Sequence, residues 1–211
     1  MKLPNKLTIT RMVLAFIVII ILLLPFDSLG LTLPKLFVNE LIVVDVKYLI
    51  AGTIFVLAAI VDLLYGYITK KKNKETDLDK ILDSIVDKIL INPCLIILAA
   101  TGFITPIIPV VLVARDIIVD SLRIYASKNG KIITASKLGK AKTICLMIGT
   151  ILTLFYNIPF ELINIKCSEI LLIVATILSV ITATDYYNKV KKIITEMSNL
   201  HSNIDQNDKT A

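Results

Sequence analysis

Charge is what this sequence has little of. Only 19% of its 211 residues are charged, against 56% hydrophobic, and its mean hydropathy is +0.81. Soluble domains carry about a quarter charged residues, so a soluble domain is excluded: there is too little polar surface to cover an apolar core of this size. Histidine is nearly absent. The one copy, His201, sits in the polar tail MSNLHSNIDQNDKTA, where a catalytic role is not expected. The three cysteines, Cys94, Cys145 and Cys167, lie in or beside apolar runs at separations that fit no metal-ligand or redox spacing. They read as small side chains facing lipid or core. Acids, too, are scarce inside the apolar runs, which makes the few that occur there informative.

What the sequence has in abundance is long apolar stretches. A spanning helix needs roughly 20 mostly apolar residues, and six candidates occur, at about 9–25, 45–69, 81–103, 106–127, 141–158 and 167–188. The expected fold is therefore an all-α membrane protein with six transmembrane helices and an N-terminal amphipathic segment, MKLPNKLTITR. Pro4 and Asn5 in that segment suit a helix start. A cleaved signal peptide is the competing reading; the length of the apolar stretch and the lack of a small-residue cleavage site after it argue against that. Residues 1–190 are expected to form one transmembrane domain and 191–211 a polar tail, disordered toward its end.

Basic residues set the orientation. With both termini inside, the cytoplasmic segments hold Lys2, Lys6, Arg11, the Lys70–Lys80 cluster, Lys88, the Arg115–Lys142 set and the C-terminal lysines. Of the 23 basic residues only Lys35, Lys47 and Lys166 fall outside, as the positive-inside rule requires. The net charge of +6 then reflects a surface facing anionic lipid and calls for no nucleic acid. The localisation that follows is the cell membrane, multi-pass.

The acids stand in VDLLYGYITKKKNKETDLDKILDSIVDKIL, residues 61–90. On a helix Asp83 and Asp87 lie one turn apart on one face, and Asp79 extends that stripe by another turn. On the preceding helix Asp62, Tyr65, Gly66 and Thr69 share a face. Folded back at KKKNKETD as a hairpin, the two helices bring Asp62 alongside Asp83 and Asp87 at the cytoplasmic end. Carboxylates in a membrane are costly and mark functional sites, and gathered together they repel unless something cationic sits among them. Their hard oxygens favour Mg²⁺, Mn²⁺ or Ca²⁺ over zinc. The alternative is that Lys70, Lys80 and Lys88 neutralise them as interfacial ion pairs.

This stretch resembles the signature of the CDP-alcohol phosphatidyltransferase family, D-x2-D-G-x2-A-R-x8-G-x3-D-x3-D. Aligned without a gap, Asp62 falls on the first acid, Gly66 on the first glycine, and Asp83 and Asp87 on the last two acids. PNKLTITR is similar to the N-terminal P-N-x-[IL]-T-x-x-R of the bacterial members that make phosphatidylglycerophosphate. ARDIIVDSLRIYASKNGKIITASKLGKAKT is similar to their fourth helix and following loop, with A-R-[ED] and G-K-x-K-T. The likeness covers nearly the whole chain apart from a 26–47 loop and the tail.

The resemblance implies six helices, a homodimer, and two divalent metals, Mg²⁺ or Mn²⁺, held by the signature acids. It implies phosphatidyl transfer from CDP-diacylglycerol to an acceptor alcohol, with CMP leaving, at the cytoplasmic face. By position Asp62, Asp83 and Asp87, with Asp79 as a further candidate, would hold metal, and Asp87 would also be the catalytic base. Asp62, Gly66, Thr69 and Lys70, with Asn5, Thr8 and Arg11, would hold the CDP moiety. Arg115 and Arg123, two turns apart on one helix face, and Lys137, Lys140 and Lys142 form a basic set suited to a phosphorylated acceptor such as glycerol 3-phosphate. Positive-inside decoration of a loop is the plainer reading of the lysines.

Four signature positions depart from the pattern. Tyr65 replaces the second acid, Thr69 the alanine, Lys70 the arginine and Asp79 the second glycine. A phenol is neutral at physiological pH and a poor Mg²⁺ ligand, and a side chain at 79 enters a place where the family leaves room. Two readings follow: the acid lost at 65 is regained at 79, or the chain is a non-catalytic homologue that binds CDP-lipid or serves as a scaffold. A transporter is disfavoured because the acids lie at one end of the spans and not at the midplane.

Overall fold

The computed structural model describes residues 3–26, 30, 34–38, 42–72, 77–128, 137–161, 163 and 165–208. It is helical nearly throughout: α1 (Leu3–Leu23), α2 (Val46–Lys72), α3 (Asp77–Ala100), α4 (Ile107–Lys128), α5 (Lys137–Leu154), the single turn α6 (Ile158–Glu161) and α7 (Cys167–Asp208). The all-helical expectation holds, with one local correction within the segment 26–47. The segment read as a loop contains a small antiparallel hairpin, β1 (Lys35–Val38) and β2 (Ile42–Asp45), in the register Lys35↔Asp45 to Val38↔Ile42. Both strands are short apolar and β-branched runs too brief to cross a membrane, which suits a pleated edge.

Among the described residues two helices are long and apolar enough to span a membrane by length and composition, Val46–Leu64 within α2 and Cys167–Thr195 within α7, and Leu7–Leu23 of α1 is a shorter apolar stretch. α1 packs against both α2 and α3, while α7 packs against α5 and α4. Small residues permit the close approaches. Ala15, Ala51 and Ala58 are fully buried at the α1–α2 side, and at Gly149 a β-carbon would come within 2.9–3.0 Å of the Leu172 side chain, so α5 and α7 meet where only hydrogen fits. Leu90, Leu95, Leu98, Leu112, Leu154 and Leu172 fill the centre. Outward faces carry exposed Ile20, Ile60, Ile96, Val110, Ile148 and Ile177, an apolar coat far larger than a water-soluble surface tolerates.

The end away from the acids is tied by turns. Gly102, at φ 82°, ends α3, with the Phe103 N–H donating to the Leu98 carbonyl at 2.9 Å, a glycine cap that reverses the chain into α4. Tyr156 and Asn157 both adopt positive φ. Asn157 offsets that strain by donating to Glu161 Oε2 and the Ile165 carbonyl while accepting from the Ser168 N–H, so it ties the end of α5 to the start of α7. Tyr48, Phe103 and Tyr156 stack beside it, and the Tyr156 hydroxyl receives the Asp45 N–H at 2.9 Å.

At the other end α7 continues well past residue 188. Its 42 residues span roughly 63 Å at 1.5 Å per residue, and the segment expected to be a polar, disordered tail is helical as far as Asp208. Extending an existing helix adds a hydrogen bond per residue with no new nucleation cost, and Val190 and Ile193 pin its first turns onto Ala126 of α4. Residues 209–211 lie outside the described residues.

Candidate active site

Five helices converge where the sequence places its cations. Asp62 of α2, Asp87 and Lys88 of α3, Arg115, Asp116 and Arg123 of α4, Gly139, Lys140 and Lys142 of α5, and Tyr186 of α7 line a cleft of about 440 Å³. Five cations and three carboxylates among its lining residues give it a positive balance, suited to an anion.

Of the three acids expected to meet, Asp62 and Asp87 come together across α1. Arg11 is fully buried. Its Nη1 lies 2.9 Å from Asp62 Oδ1 and its Nη2 donates to Asp87 Oδ1. A guanidinium presents its donors in a rigid fork and keeps its charge at any physiological pH, so it holds two carboxylates together that would otherwise repel. Thr8, one turn earlier on the same face of α1, is also buried. For Lys88 the ion-pair alternative needs correcting, since it pairs with Asp120 of α4, and a cation between Asp62 and Asp87 is Arg11.

Of the other residues named from sequence, Asp79 and Asp83 lie on α3, Tyr65, Thr69 and Lys70 on α2, Asn5 on α1 and Lys137 at the start of α5; their side chains, like that of Lys80, lie outside the described residues. Gly66 is on α2, and a β-carbon there would meet no atom within 4 Å, so the room beside it is open. Lys140 is exposed. Lys142 is buried, with its Nζ 3.0 Å from Asp116 Oδ1.

The two arginines, equivalent by sequence, differ in place. Arg115 spends its donors on the protein: Nε on the Ser179 carbonyl at 3.0 Å, Nη1 on Asp116 Oδ1 at 3.0 Å and Nη2 on the Thr182 hydroxyl at 2.6 Å. Arg123 donates from Nη2 to the Tyr186 hydroxyl at 2.6 Å, and its buried Nε has no hydrogen-bond partner among the described residues. Sequence reasoning missed Asp116, which bridges Arg115 and Lys142, and also Asp120, Ser179, Thr182 and Tyr186. The signals were present: Asp116 adjoins Arg115, and Ser179, Thr182 and Tyr186 form a polar i, i+3, i+7 stripe in an apolar run.

Asp62 and Asp87 offer only hard carboxylate oxygens converging on one cation position, a donor chemistry that suits Mg²⁺ or Mn²⁺. No group of three or more His, Cys, Asp or Glu side chains gathers among the described residues. A bound cation would thus need a further ligand, and Asp83, one turn from Asp87 on α3, is placed on the same stripe.

A family model described as CDP-alcohol phosphatidyltransferase matches residues 1–182. The chain is 33% identical over 188 residues to the CDP-diacylglycerol–glycerol-3-phosphate 3-phosphatidyltransferase of Bacillus subtilis, covering 89% of this chain and 94% of that one. It is 30% identical over 192 residues to the protein of the same name from Rickettsia bellii, covering 90% and 96%.

Proposed function

Because the chain belongs to the CDP-alcohol phosphatidyltransferase family, we propose that it moves the phosphatidyl group of CDP-diacylglycerol onto glycerol 3-phosphate, releasing CMP. The observation that carries this reading is one cleft holding both an acid pair, Asp62 and Asp87, and a basic wall of Arg123, Lys140 and Lys142. A diphosphate donor and a phosphorylated acceptor need those two surfaces side by side.

In the reaction the acceptor hydroxyl oxygen forms a bond to the phosphatidyl phosphorus, and the bond from that phosphorus to the CMP oxygen breaks. Asp87 takes the hydroxyl proton. Asp62 and Asp87, with Asp83 and with Asp79 as a further candidate, would hold two divalent cations, Mg²⁺ or Mn²⁺, which would supply neutralising charge to the diphosphate and the leaving oxygen. Arg11 and Thr8, with Asn5, Thr69 and Lys70, orient the CDP moiety, and the basic wall positions the acceptor so that attack is effectively unimolecular. Asp79 offsets the carboxylate missing at Tyr65.

The six long helices cross the membrane, with both termini and the cleft on the cytoplasmic side, and the chain works as a homodimer. The exposed apolar coat and the clustering of lysine and arginine at the cleft end support the orientation; the homodimer rests on the family resemblance.

Purified full-length protein in mixed micelles is expected to release CMP only when CDP-diacylglycerol, glycerol 3-phosphate and Mg²⁺ or Mn²⁺ are all present. Silence across metals and a panel of acceptor alcohols would sink the reading, and the Tyr65→Asp, Asp79→Gly variant run beside it reads out whether those two positions limit the rate. A narrower test concerns Gly66. Since a β-carbon there meets nothing within 4 Å, Gly66→Ala is expected to fold normally yet raise the KM for CDP-diacylglycerol about tenfold, a cost of about 1.4 kcal/mol. An unchanged KM would place the nucleotide elsewhere.

A further inference from the structure

The α4–α7 contact is built as two rungs. On α4, Arg115 and Arg123 stand two turns apart on one face; on α7, Ser179, Thr182 and Tyr186 stand at i, i+3 and i+7 on another. The helices run in the same direction, so Arg115 meets Ser179 and Thr182, and Arg123 meets Tyr186.

The first rung is closed. Each nitrogen of the Arg115 guanidinium has a protein acceptor. The second is open on one side: Arg123 gives Nη2 to the Tyr186 hydroxyl, its Cζ lies 4.9 Å from the Tyr186 ring centroid, and its buried Nε lacks a hydrogen-bond partner among the described residues. Buried guanidinium N–H groups are normally satisfied, and Arg123 lines the anion-suited cleft.

We infer that Tyr186 is a positioning residue, holding the Arg123 guanidinium so that its remaining donors grip the phosphate monoester of the acceptor. The inference rests on the phosphatidyl-transfer reading above. Tyr186 is 2% exposed, and its ring also carries Lys189 at 5.8 Å, itself paired with Asp185 at 2.7 Å. Fixed at one Nη and at its face, the planar fork has little freedom left, so its open edge is pre-oriented for bidentate contact. In the same cleft Arg123 on α4 and Lys140 and Lys142 on α5 supply cations, whereas Asp62 and Asp87, on α2 and α3, are the acids assigned above to the donor's diphosphate. The phosphate held by Arg123 is therefore the acceptor's.

The test uses full-length protein in detergent micelles, with glycerol 3-phosphate affinity read by calorimetry and KM measured for both substrates. Tyr186→Phe keeps the ring and removes the hydroxyl. It is expected to weaken glycerol 3-phosphate about tenfold in Kd and KM, as for loss of one hydrogen bond to a charged group, with the CDP-diacylglycerol KM, kcat and melting temperature nearly unchanged. In an Arg123→Gln background the same change should add no further loss, since Tyr186 acts through Arg123. Unchanged glycerol 3-phosphate affinity in Tyr186→Phe, an equal loss for CDP-diacylglycerol, or the same loss without Arg123 overturns the inference. If the natural chain binds glycerol 3-phosphate but releases no CMP, the transfer reading fails while the binding comparison still decides the role of Tyr186. If it binds none, the inference falls.

Discussion

Asp87→Asn is expected to lower CMP release by about a thousandfold while the protein stays folded. The size follows from removing a positioned proton acceptor, an effect of roughly 10² to 10⁴, together with one of the two carboxylates described at the site. The fold survives for a geometric reason. Arg11 is buried and bridges Asp62 and Asp87, and asparagine retains a carbonyl oxygen to accept from Nη2 while Asp62 still neutralises the guanidinium. Asp62→Asn is expected to behave the same way, with Asp87 as the remaining counter-charge. The measurement is CMP release alongside thermal melting of the purified protein. A variant that melts normally and turns over at the natural rate would remove Asp87 from the chemistry.

Arg115→Ala produces the opposite pattern, with a large stability loss as its first effect. The side chain makes two hydrogen bonds that hold α4 to α7 and a third to Asp116 of α4, which it shares with Lys142. Its deletion leaves the largely buried Asp116 carboxylate to Lys142 and takes a donor from both the Ser179 carbonyl and the Thr182 hydroxyl on α7. Breaking such an arrangement costs about 3–5 kcal/mol, so melting should drop sharply, and activity should fall with the folded fraction. Arg123→Ala, by contrast, should spare the melt and raise the glycerol 3-phosphate KM. If Arg115→Ala melts like the natural chain but loses acceptor affinity, Arg115 belongs with Arg123 as a phosphate ligand.

Much of the architecture was legible because hydropathy and period are local properties. The apolar runs became helices, α4 and the start of α7 within a residue of the expected bounds. The hairpin of Lys35–Val38 and Ile42–Asp45 leaves little local signal, because its four-residue strands are too short for a span and for a clear period-two alternation. The helical extension to Asp208 went unread because polar composition argues against a core, yet a helix already nucleated by an apolar span, and held at Val190 and Ile193, propagates through polar residues.

The sequence by itself determined the long apolar helices and the apposition of Asp62 and Asp87, which follow from residue type at fixed spacing along each helix. Spacing cannot say which partner a charged side chain will take on another helix. That Arg11, 51 and 76 positions before its partners Asp62 and Asp87, is the cation between the acids depended on α1 packing against both α2 and α3. That Arg115 is spent on α7 and Asp116 while the buried Nε of Arg123 has no partner among the described residues depended on which residues of α7 face each of them. The energy of a buried charge is set by the groups within hydrogen-bond reach, and only tertiary packing puts them there.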